Sequence, residues 1–330
     1  MRPFKFTPAK AVSEATRLAS NNSNAKFLAG GTNLIDLMKE DVERPDELVS
    51  IDGIQLDYVK ELAGNGVELG ALGKNTETAN HPLIRQHFPL LTQAILAGAS
   101  AQIRNMATNG GNLMQRTRCS YFYDVNMPCN KRAPGTGCGA IEGINRMHAI
   151  FGWSNQCIAV YPSDMAVALS ALEAVVHVQG ADGQVRAIAI GDFHRLPGDA
   201  PEKDNSLKSG EIITSISIPK NEMANHSYYL KVRDRASYAF ALVSVGAALA
   251  VVNNKITKVR IAMGGVAHKP WRALAAEKML IGKSPSAANF KLAADAEMKQ
   301  AKGFEHNRFK IELGRKSIAL ALEMAMRKMA

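Results

Sequence analysis

All four cysteines of this 330-residue chain lie between residues 119 and 157, and their grouping limits the kinds of structure that this segment can form. They are Cys119, Cys129, Cys138 and Cys157. The segment is rich in proline and glycine, which predicts an irregular loop with little packing of its own. Cysteines with unrelated structural roles would be spread along the chain, so we expect these four to form one internal link.

Several kinds of link suit four thiols: a [4Fe–4S] cluster, a tetrahedral zinc ion or two disulfides. The spacing C-x9-C-x8-C-x18-C lacks the close C-x2-C pairs of zinc ribbons and favours a cluster held by an irregular loop. The first twenty residues show no apolar core or cleavage site of an export signal, which disfavours disulfides. His148 either replaces one ligand or is an ordinary loop histidine, and the zinc and disulfide alternatives stay open.

Two glycine pairs share one pattern, FLAGGTNL at residues 27–34 and ATNGGNL at residues 107–113. Adjacent glycines adopt positive φ and let backbone N–H groups approach a ligand closely. Such N–H groups form a concave anion site, particularly where a helix begins. The two turns together predict a diphosphate site, although either turn alone also suits a plain strand-to-helix connection. No G-x-G-x-x-G sequence follows a predicted strand, so a Rossmann site is not expected.

The formal net charge is +10, but the basic residues are dispersed. Their one local cluster lies in the cysteine segment and consists of Arg116, Arg118, Lys131 and Arg132. This cluster would raise the reduction potential of an iron–sulfur centre or bind an acidic partner. Without a basic face that carries aromatic stacking groups, we expect no nucleic-acid partner. The longest apolar run, residues 239–252, is too short for a membrane span.

Hydrophobic periodicity predicts an α+β protein in which strands and helices alternate before a run of antiparallel strands and further helices. The predicted strands are residues 26–29, 47–51, 67–72, 173–179, 212–218, 228–233, 239–252 and 255–262. The predicted helices are residues 9–20, 33–39, 75–80, 82–86, 89–99 and 163–171, with most of 270–330. Asn253-Asn254 predicts a hairpin turn, and the polar residues 220–227 mark a domain boundary.

Five segments in a fixed order resemble the FAD-binding subunits of the molybdenum hydroxylases, a family that includes xanthine dehydrogenase, carbon monoxide dehydrogenase and aldehyde oxidoreductases. The segments are FLAGGTNLIDLMK, GASAQIRNMATNGGNL, CIAVYPSDM, GEIITSISIP and YYLKVRDRASYAFALVSVGAAL. The cysteine insertion between NGGNL and YPSDM is similar to that of the flavin subunit of bacterial periplasmic aldehyde oxidoreductases, which carries a [4Fe–4S] cluster. A subunit of the 4-hydroxybenzoyl-CoA reductase type is the related alternative.

The resemblance implies a two-subdomain α/β FAD-binding domain of the PCMH type with an inserted iron–sulfur loop. A C-terminal domain of three antiparallel strands plus helices would follow. The implied bounds are residues 1–222 for the FAD-binding domain, with subdomains of about 1–53 and 54–222. The iron–sulfur loop would span 116–158, and the C-terminal domain 223–330.

The resemblance also implies the cofactor ligands, with FAD bound between the two subdomains. Backbone N–H groups of the first glycine turn would wrap its diphosphate: Lys26, Phe27, Leu28, Ala29, Gly30, Gly31, Thr32, Asn33 and Leu34. The second turn would contribute Thr108, Gly111 and Asn112. Asn33 stands where the family more often has aspartate, and since the amide keeps the hydrogen-bonding shape we expect binding to survive.

The remaining implied ligands lie further along the chain. Asp164 would hydrogen-bond the sugar-alcohol chain of the flavin, Ile213 would make an apolar contact, and Lys231 would lie near the isoalloxazine ring. Gln115 and Asp124 would flank the site. The four cysteines would bind the [4Fe–4S] cluster.

The chain holds no further cysteines for a [2Fe–2S] cluster and is too short for a molybdenum-cofactor domain. The resemblance therefore implies a heterotrimer with a large molybdenum-cofactor subunit and a small [2Fe–2S] subunit. Electrons from an aldehyde oxidised at molybdenum would pass through the [2Fe–2S] clusters to FAD in this chain and then to an external acceptor. No catalytic residue for substrate oxidation is expected here.

The periplasmic aldehyde oxidoreductase that this chain resembles is exported in its folded form, directed by a signal sequence on its small subunit. The resemblance therefore predicts a periplasmic location, with the cytoplasm as the alternative. Two other functions remain compatible with the residues alone. One is a zinc-stapled nucleotide-binding protein, and the other is a flavin oxidase that works without partners.

Overall fold

The computed structural model describes residues 1–327, which form three sheets with helices packed around them. The strands are Lys5–Pro8 (β1), Ala25–Leu28 (β2), Glu47–Ser50 (β3), Val59–Leu62 (β4), Gly66–Gly70 (β5), Val175–Gln179 (β6), Val185–Ala189 (β7), Ile212–Ile218 (β8), Ser227–Val232 (β9), Val243–Val252 (β10), Lys255–Gly264 (β11) and Trp271–Arg272 (β12). The helices are Val12–Asn21 (α1), Leu34–Lys39 (α2), Asn75–Asn80 (α3), Pro82–His87 (α4), Pro89–Ala97 (α5), Ala101–Met106 (α6), Asn109–Leu113 (α7), Ser120–Tyr123 (α8), Asp164–Ala171 (α9), Ile190–Phe193 (α10), Leu274–Leu280 (α11), Ala287–Met298 (α12) and Phe309–Met326 (α13).

The first sheet has three parallel strands in the order β1-β3-β2. Parallel neighbours need a crossover connection, which α1 provides between β1 and β2 and α2 between β2 and β3. Ala15 of α1 and Val49 of β3 are fully buried in the small core of this unit. The first glycine turn follows the carboxyl end of β2 and leads into α2, the position at which α/β units bind ligands.

The second sheet has five strands in the order β4-β5-β8-β6-β7, and all its pairings are antiparallel. The alternation of strands and helices along the sequence therefore produces parallel strands in the first sheet only. Apolar residues of the second sheet share the largest core with helices α5 and α9, and this core also includes Tyr229, Ala248 and Ala262 of the third sheet. The sequence pattern missed β4 and β7 because both are short and largely exposed, so their apolar alternation is weak.

The third sheet has the order β12-β11-β10-β9 and confirms the predicted three antiparallel strands, with two-residue β12 added at one edge. Asn253 and Asn254 form the predicted hairpin turn with φ of 50° and 58°, the backbone that two-residue hairpins favour. Strand β10 begins at Val243, so the predicted start at residue 239 is wrong. Helices α11 to α13 cover the sheet, and residues 328–330 of the predicted C-terminal domain lie outside the described residues.

The cysteine segment crosses between α7 and α9 as a long irregular loop whose only helix is α8. The loop packs on the C-terminal domain, where the backbone N–H groups of Ile150 and Phe151 donate to Val266 O at 2.9 and 3.0 Å. Among residues 1–327, the helices are all too short or too polar to cross a membrane.

Candidate functional site: two glycine turns and a cysteine loop

The first glycine turn is packed directly against the second. A Cβ atom at Gly30 would lie 1.9 Å from the carbonyl oxygen of Met106, two residues before Thr108. Gly31 has φ of +69°, a conformation that L side chains rarely adopt. Asn33 Oδ1 accepts a hydrogen bond from Arg116 N at 2.8 Å. Asn33 Nδ2 is buried without a partner among the described residues, so it is a donor free for a ligand.

The second turn begins helix α7. Thr108 caps this helix, and its Oγ1 accepts a hydrogen bond from Gly111 N at 3.1 Å. Asn112 is held by three neighbours: its Nδ2 donates to Asn75, while its Oδ1 accepts from Gln115 Nε2 and Ser163 Oγ. Gln115 and Asn112 therefore fix the shape of the turn through side-chain contacts.

Two cavities meet at the glycine turns. The first, of about 370 Å³, is lined by the first turn, by residues 207–213 including Ile213, and by Thr108. The second, of about 740 Å³, continues past α5 and α6. Thr32, Asn33 and Gly111 line both cavities and form the neck between them. An elongated ligand with an anionic centre would fit with its centre at this neck, because glycine turns of this kind offer backbone N–H groups to an anion.

Asp164 and Lys231 lie together at the far end of the second cavity. Lys231 Nζ contacts Asp164 Oδ2 at 2.7 Å, and both side chains are less than a tenth exposed. Tyr229 donates its hydroxyl proton to Asp164 Oδ1 at 2.6 Å, and burial together with the carboxylate raises the pKa of Tyr229 well above its usual value. Lys231 also donates to Ala97 O. The pair places one cation and one anion on the wall of the cavity.

The other residues predicted for the site divide into two groups. The structure brings Lys26, Gly31, Thr108, Gly111 and Ile213 to the first cavity. Phe27, Leu28, Ala29, Gly30 and Leu34 also line it, as the resemblance implied. Asp124 instead lies on an exposed turn, where its Oδ1 accepts from Asn126 N at 3.0 Å, and it lines neither cavity.

Sequence reasoning missed a polar group on the wall of the second cavity. Arg118 donates to Asp36 Oδ2 at 2.7 Å and also contacts the hydroxyl of Tyr123, which itself donates to Asp36. Burial raises the pKa of Tyr123 to about 12, and Asp36 adds to this effect. The sequence offers only the basic cluster as a signal, because Asp36 lies 82 residues from Arg118.

The basic cluster of the cysteine loop is paired internally. Arg116 contacts Glu43 at 2.6 Å and Asp204 at 2.7 Å. Arg132 donates to backbone carbonyls, including those of Tyr121 and Phe122. Since Lys131 and Arg118 are also paired, acidic groups of this chain already balance much of the positive charge of the cluster.

The four cysteines form no disulfide, and they lie close enough together inside the loop to affect one another. Cys129 and Cys138 pair in an isolated antiparallel bridge, and Cys129 and Cys157 are buried. The loop turns around Asn130, whose Oδ1 accepts hydrogen bonds from the backbone N–H groups of Gly135 and Gly137. A polar side chain thus replaces the missing apolar core of this segment.

The thiols interact electrostatically as a group. Burial raises the pKa of Cys119 to about 12, and the nearby Cys129 and Cys138 add to the rise. The thiol of Cys157 donates a hydrogen bond to Cys138, which lowers the pKa of Cys138 to about 6 and raises that of Cys157. Cys138 is therefore the thiol of this pair that ionises more readily. Among residues 1–327, no three His, Cys, Asp or Glu side chains are arranged to hold a single metal ion.

A buried charge group joins the cysteine loop to the first glycine turn. Lys131, with a side chain only 3% exposed, contacts Asp204 Oδ1 at 2.5 Å, and Arg116 contacts the other oxygen. Burial alone would raise the pKa of Asp204, but the charges of Lys131 and Arg116 outweigh it and lower the pKa below its usual value. Because Arg116 N also binds Asn33, the loop and the turn share one network.

Replacing Asp204 with asparagine is expected to lower the free energy of unfolding at pH 7 by about 3 kcal/mol, because it leaves buried Lys131 without a counter-charge and Arg116 with Glu43 as its remaining acidic partner. Since folding lowers the pKa of Asp204, its contribution is fully present above its unfolded pKa and disappears as the pH falls through the folded pKa. The difference between wild type and Asp204→Asn should therefore shrink below about pH 4. Denaturant titrations at several pH values measure it, with exposed Asp199→Asn as the control; a difference that does not change with pH would contradict the assignment.

Comparisons with known proteins agree with this geometry. A family model described as the FAD binding domain in molybdopterin dehydrogenase matches residues 2–221, and the CO dehydrogenase flavoprotein C-terminal domain matches residues 228–322. The chain is 44% identical over 325 residues to the aldehyde oxidoreductase FAD-binding subunit PaoB of Escherichia coli (strain K12), which covers 98% of this chain and 99% of that one.

More distant relatives show the same arrangement. The chain is 30% identical over 281 residues to the glyceraldehyde dehydrogenase medium chain of Sulfolobus acidocaldarius, covering 85% of this chain and 82% of the relative. A chain of carbon monoxide dehydrogenase from Hydrogenophaga pseudoflava, solved without the Mo-pyranopterin moiety, superposes with a TM-score of 0.77 over 98% of both chains. At 24% identity that likeness concerns the fold. The family matches and the glycine-turn cavities lead to one conclusion: the chain belongs to the FAD-binding subunits of the molybdenum hydroxylase family.

Proposed function

We propose that this chain is the electron-transfer subunit of a molybdenum-dependent aldehyde oxidoreductase and that it carries both FAD and a [4Fe–4S] cluster. Its identity to an aldehyde oxidoreductase FAD-binding subunit supports the substrate class. The observation that carries the proposal is the placement of the cysteine loop: Cys119 and Asp164 line one cavity of about 270 Å³, next to the larger cavity that Asp164 also lines. This position of Cys119 supports a short route between a flavin in the larger cavity and a cluster in the loop.

The residues of the two glycine turns fit FAD. The neck between the first two cavities would take the diphosphate, with the N–H group of Asn33 Nδ2 as an available donor. Asp164 would bind hydroxyl groups of the sugar-alcohol chain, and Lys231 would place its charge near the ring system. Bound FAD would supply a carrier that takes up two electrons together and releases them singly. Because Asp164 neutralises part of the Lys231 charge, the pair limits how strongly this lysine favours an anionic ring.

The spacing of the four cysteines favours a cluster held by an irregular loop over a zinc-ribbon ion. In a [4Fe–4S] centre each of four thiolates binds a different iron atom. The loop gathers four thiols: Cys119 lies near Cys129 and Cys138, and the thiol of Cys157 donates to Cys138. The hydrogen bond to Cys138 and burial raise the pKa of Cys157, and the buried positive charge of Lys131 opposes part of that rise.

The chain would work inside a heterotrimer with a large molybdenum-cofactor subunit and a small [2Fe–2S] subunit, and it would deliver electrons to an external acceptor. The names of its relatives, which are subunits and medium chains, support a multi-subunit assembly. The resemblance of the cysteine insertion supports a periplasmic location, with the complex exported by a signal on a partner. Fractionation of cells that express all three subunits tests this location, and recovery with cytoplasmic markers would contradict it.

Anaerobic addition of an aromatic aldehyde separates a relay subunit from an enzyme that oxidises aldehydes itself. The isolated full-length chain should keep its flavin absorbance near 450 nm (about the usual position for oxidised flavin), because it holds no molybdenum site. The assembled complex should lose that absorbance. Dithionite serves as the control, since it should bleach both samples. Bleaching of the isolated chain by the aldehyde would contradict the proposed function.

A further inference from the structure

One histidine touches the cysteine loop from inside the protein. His148 Nε2 lies 3.1 Å from Cys119 Sγ, and the residue is only 4% exposed. Its other ring nitrogen, Nδ1, is buried and has no hydrogen-bond partner within residues 1–327. The sulfur atom of Cys119 is thus the one group among residues 1–327 that meets hydrogen-bond geometry with the ring, and the backbone of Asn145 also lies close to it.

Two fully buried side chains of the C-terminal domain fix the position of this histidine. Lys310 Nζ donates to the carbonyl oxygen of His148 at 3.0 Å and to that of Gly265 at 2.8 Å. Asn307 Nδ2 donates to the carbonyl oxygens of His148 and Ala149, each at 3.2 Å. Burying a lysine costs free energy. Because Lys310 donates to the backbone of His148, it fixes the position of the imidazole beside Cys119.

The contact has a defined chemical consequence if Cys119 binds a cluster. A cysteinate sulfur offers only lone pairs, so the hydrogen of the contact must come from the imidazole. Hydrogen bonds to the sulfur atoms of an iron–sulfur cluster withdraw negative charge and stabilise the reduced state, which carries one more electron. A donor beside one ligand therefore raises the reduction potential.

We propose that His148 donates a hydrogen bond from Nε2 to the cluster ligand Cys119 and thereby raises the reduction potential of the [4Fe–4S] centre, with Lys310 and Asn307 as positioning residues. This inference rests on the proposed function, because it needs the cluster to be present. It goes further by assigning a tuning role to a histidine that lies outside the set of four thiols.

A redox titration of the full-length chain, purified anaerobically and followed by the electron paramagnetic resonance signal of the reduced cluster, tests the proposal. His148→Leu removes the donor, and at a fixed potential its ratio of reduced to oxidised cluster should fall about tenfold, equivalent to about 59 mV for a one-electron couple. His148→Gln offers an amide N–H in place of the ring N–H and should recover most of the loss. His306→Leu, which changes an exposed imidazole in the segment that precedes Asn307, is the matched control and should leave the ratio unchanged.

The outcomes separate the inference from the proposed function. Wild-type chain without iron would refute the proposed function itself. An unchanged ratio in His148→Leu with full iron content would overturn the inference alone, and so would loss of iron in that variant, because it would make His148 a ligand instead of a donor. If His148→Leu does not fold, His148→Asn, whose shorter amide does not reach Cys119, carries the same expectation.

Discussion

Replacing Gly30 with alanine is expected to weaken FAD binding by at least about a hundredfold, which corresponds to about 2.8 kcal/mol of binding free energy. The added Cβ atom would lie 1.9 Å from the carbonyl oxygen of Met106, so the two glycine turns must move apart. Their separation sets the width of the neck formed by Thr32, Asn33 and Gly111. Fluorescence quenching of flavin during titration of apoprotein measures the affinity.

The matched control for this substitution is Gly191→Ala. A Cβ atom at Gly191 meets no atom within 4 Å, and its backbone does not need the left-handed conformation. This variant should bind FAD and unfold like the wild type. Normal FAD affinity in Gly30→Ala would show that the neck does not hold the diphosphate.

Replacing Cys129 with alanine is expected to lower the iron content of the chain to below about a tenth of the wild-type value, because a [4Fe–4S] cluster with three protein ligands is far less stable than one with four. Cys129 is buried where its backbone bridges to Cys138, so an exposed side chain cannot easily take its place as a cluster ligand. FAD should remain bound, since the glycine turns contain no cysteine. Iron analysis and flavin absorbance on the same sample measure both effects.

Met127→Ser is the control for loop disturbance. Met127 lies two residues before Cys129 and is 42% exposed, so its replacement disturbs the loop far less than the replacement of a buried residue. It should keep both iron and FAD. Retention of full iron by Cys129→Ala would remove this cysteine from the ligand set, and loss of FAD together with iron would show that loop and flavin site fold as one unit.

The glycine turns could be predicted from sequence because their requirement is local. Positive φ and close backbone approach select glycine at fixed positions, and the structure places Gly30 and Gly31 in such a turn. The cysteines could be predicted as a group for a similar reason, since all four lie in one segment. In both cases the residues that act together are close in the chain.

The pairing of charges could not be predicted, because it joins residues that are far apart in the sequence. Lys131 and Asp204 are 73 positions apart, and Lys310 reaches a carbonyl 162 positions away. The sequence shows how many basic residues the cluster contains. It does not show which acidic residues from elsewhere in the chain pack against them. The sequence therefore suggested an open basic patch where the structure has a closed network.

The start of β10 was placed wrongly for a different reason. Residues 239–242 are apolar, which suggests a strand. Ala239 and Phe240 instead line the second cavity, and Ala241 lines the cavity of about 270 Å³ that Cys119 also lines. Tyr238 just before them has φ of 49°, which an extended strand excludes. Apolar side chains that face a ligand cavity and apolar side chains that face a core give the same signal in one sequence.

The central claim is that one chain holds FAD between its glycine turns and a four-iron cluster in the neighbouring loop. Its most direct test is the content of FAD, iron, acid-labile sulfide and zinc in the full-length chain purified anaerobically. The account predicts about one FAD, four iron and four sulfide per chain, with no stoichiometric zinc. A flavoprotein that contains zinc and no iron would contradict it.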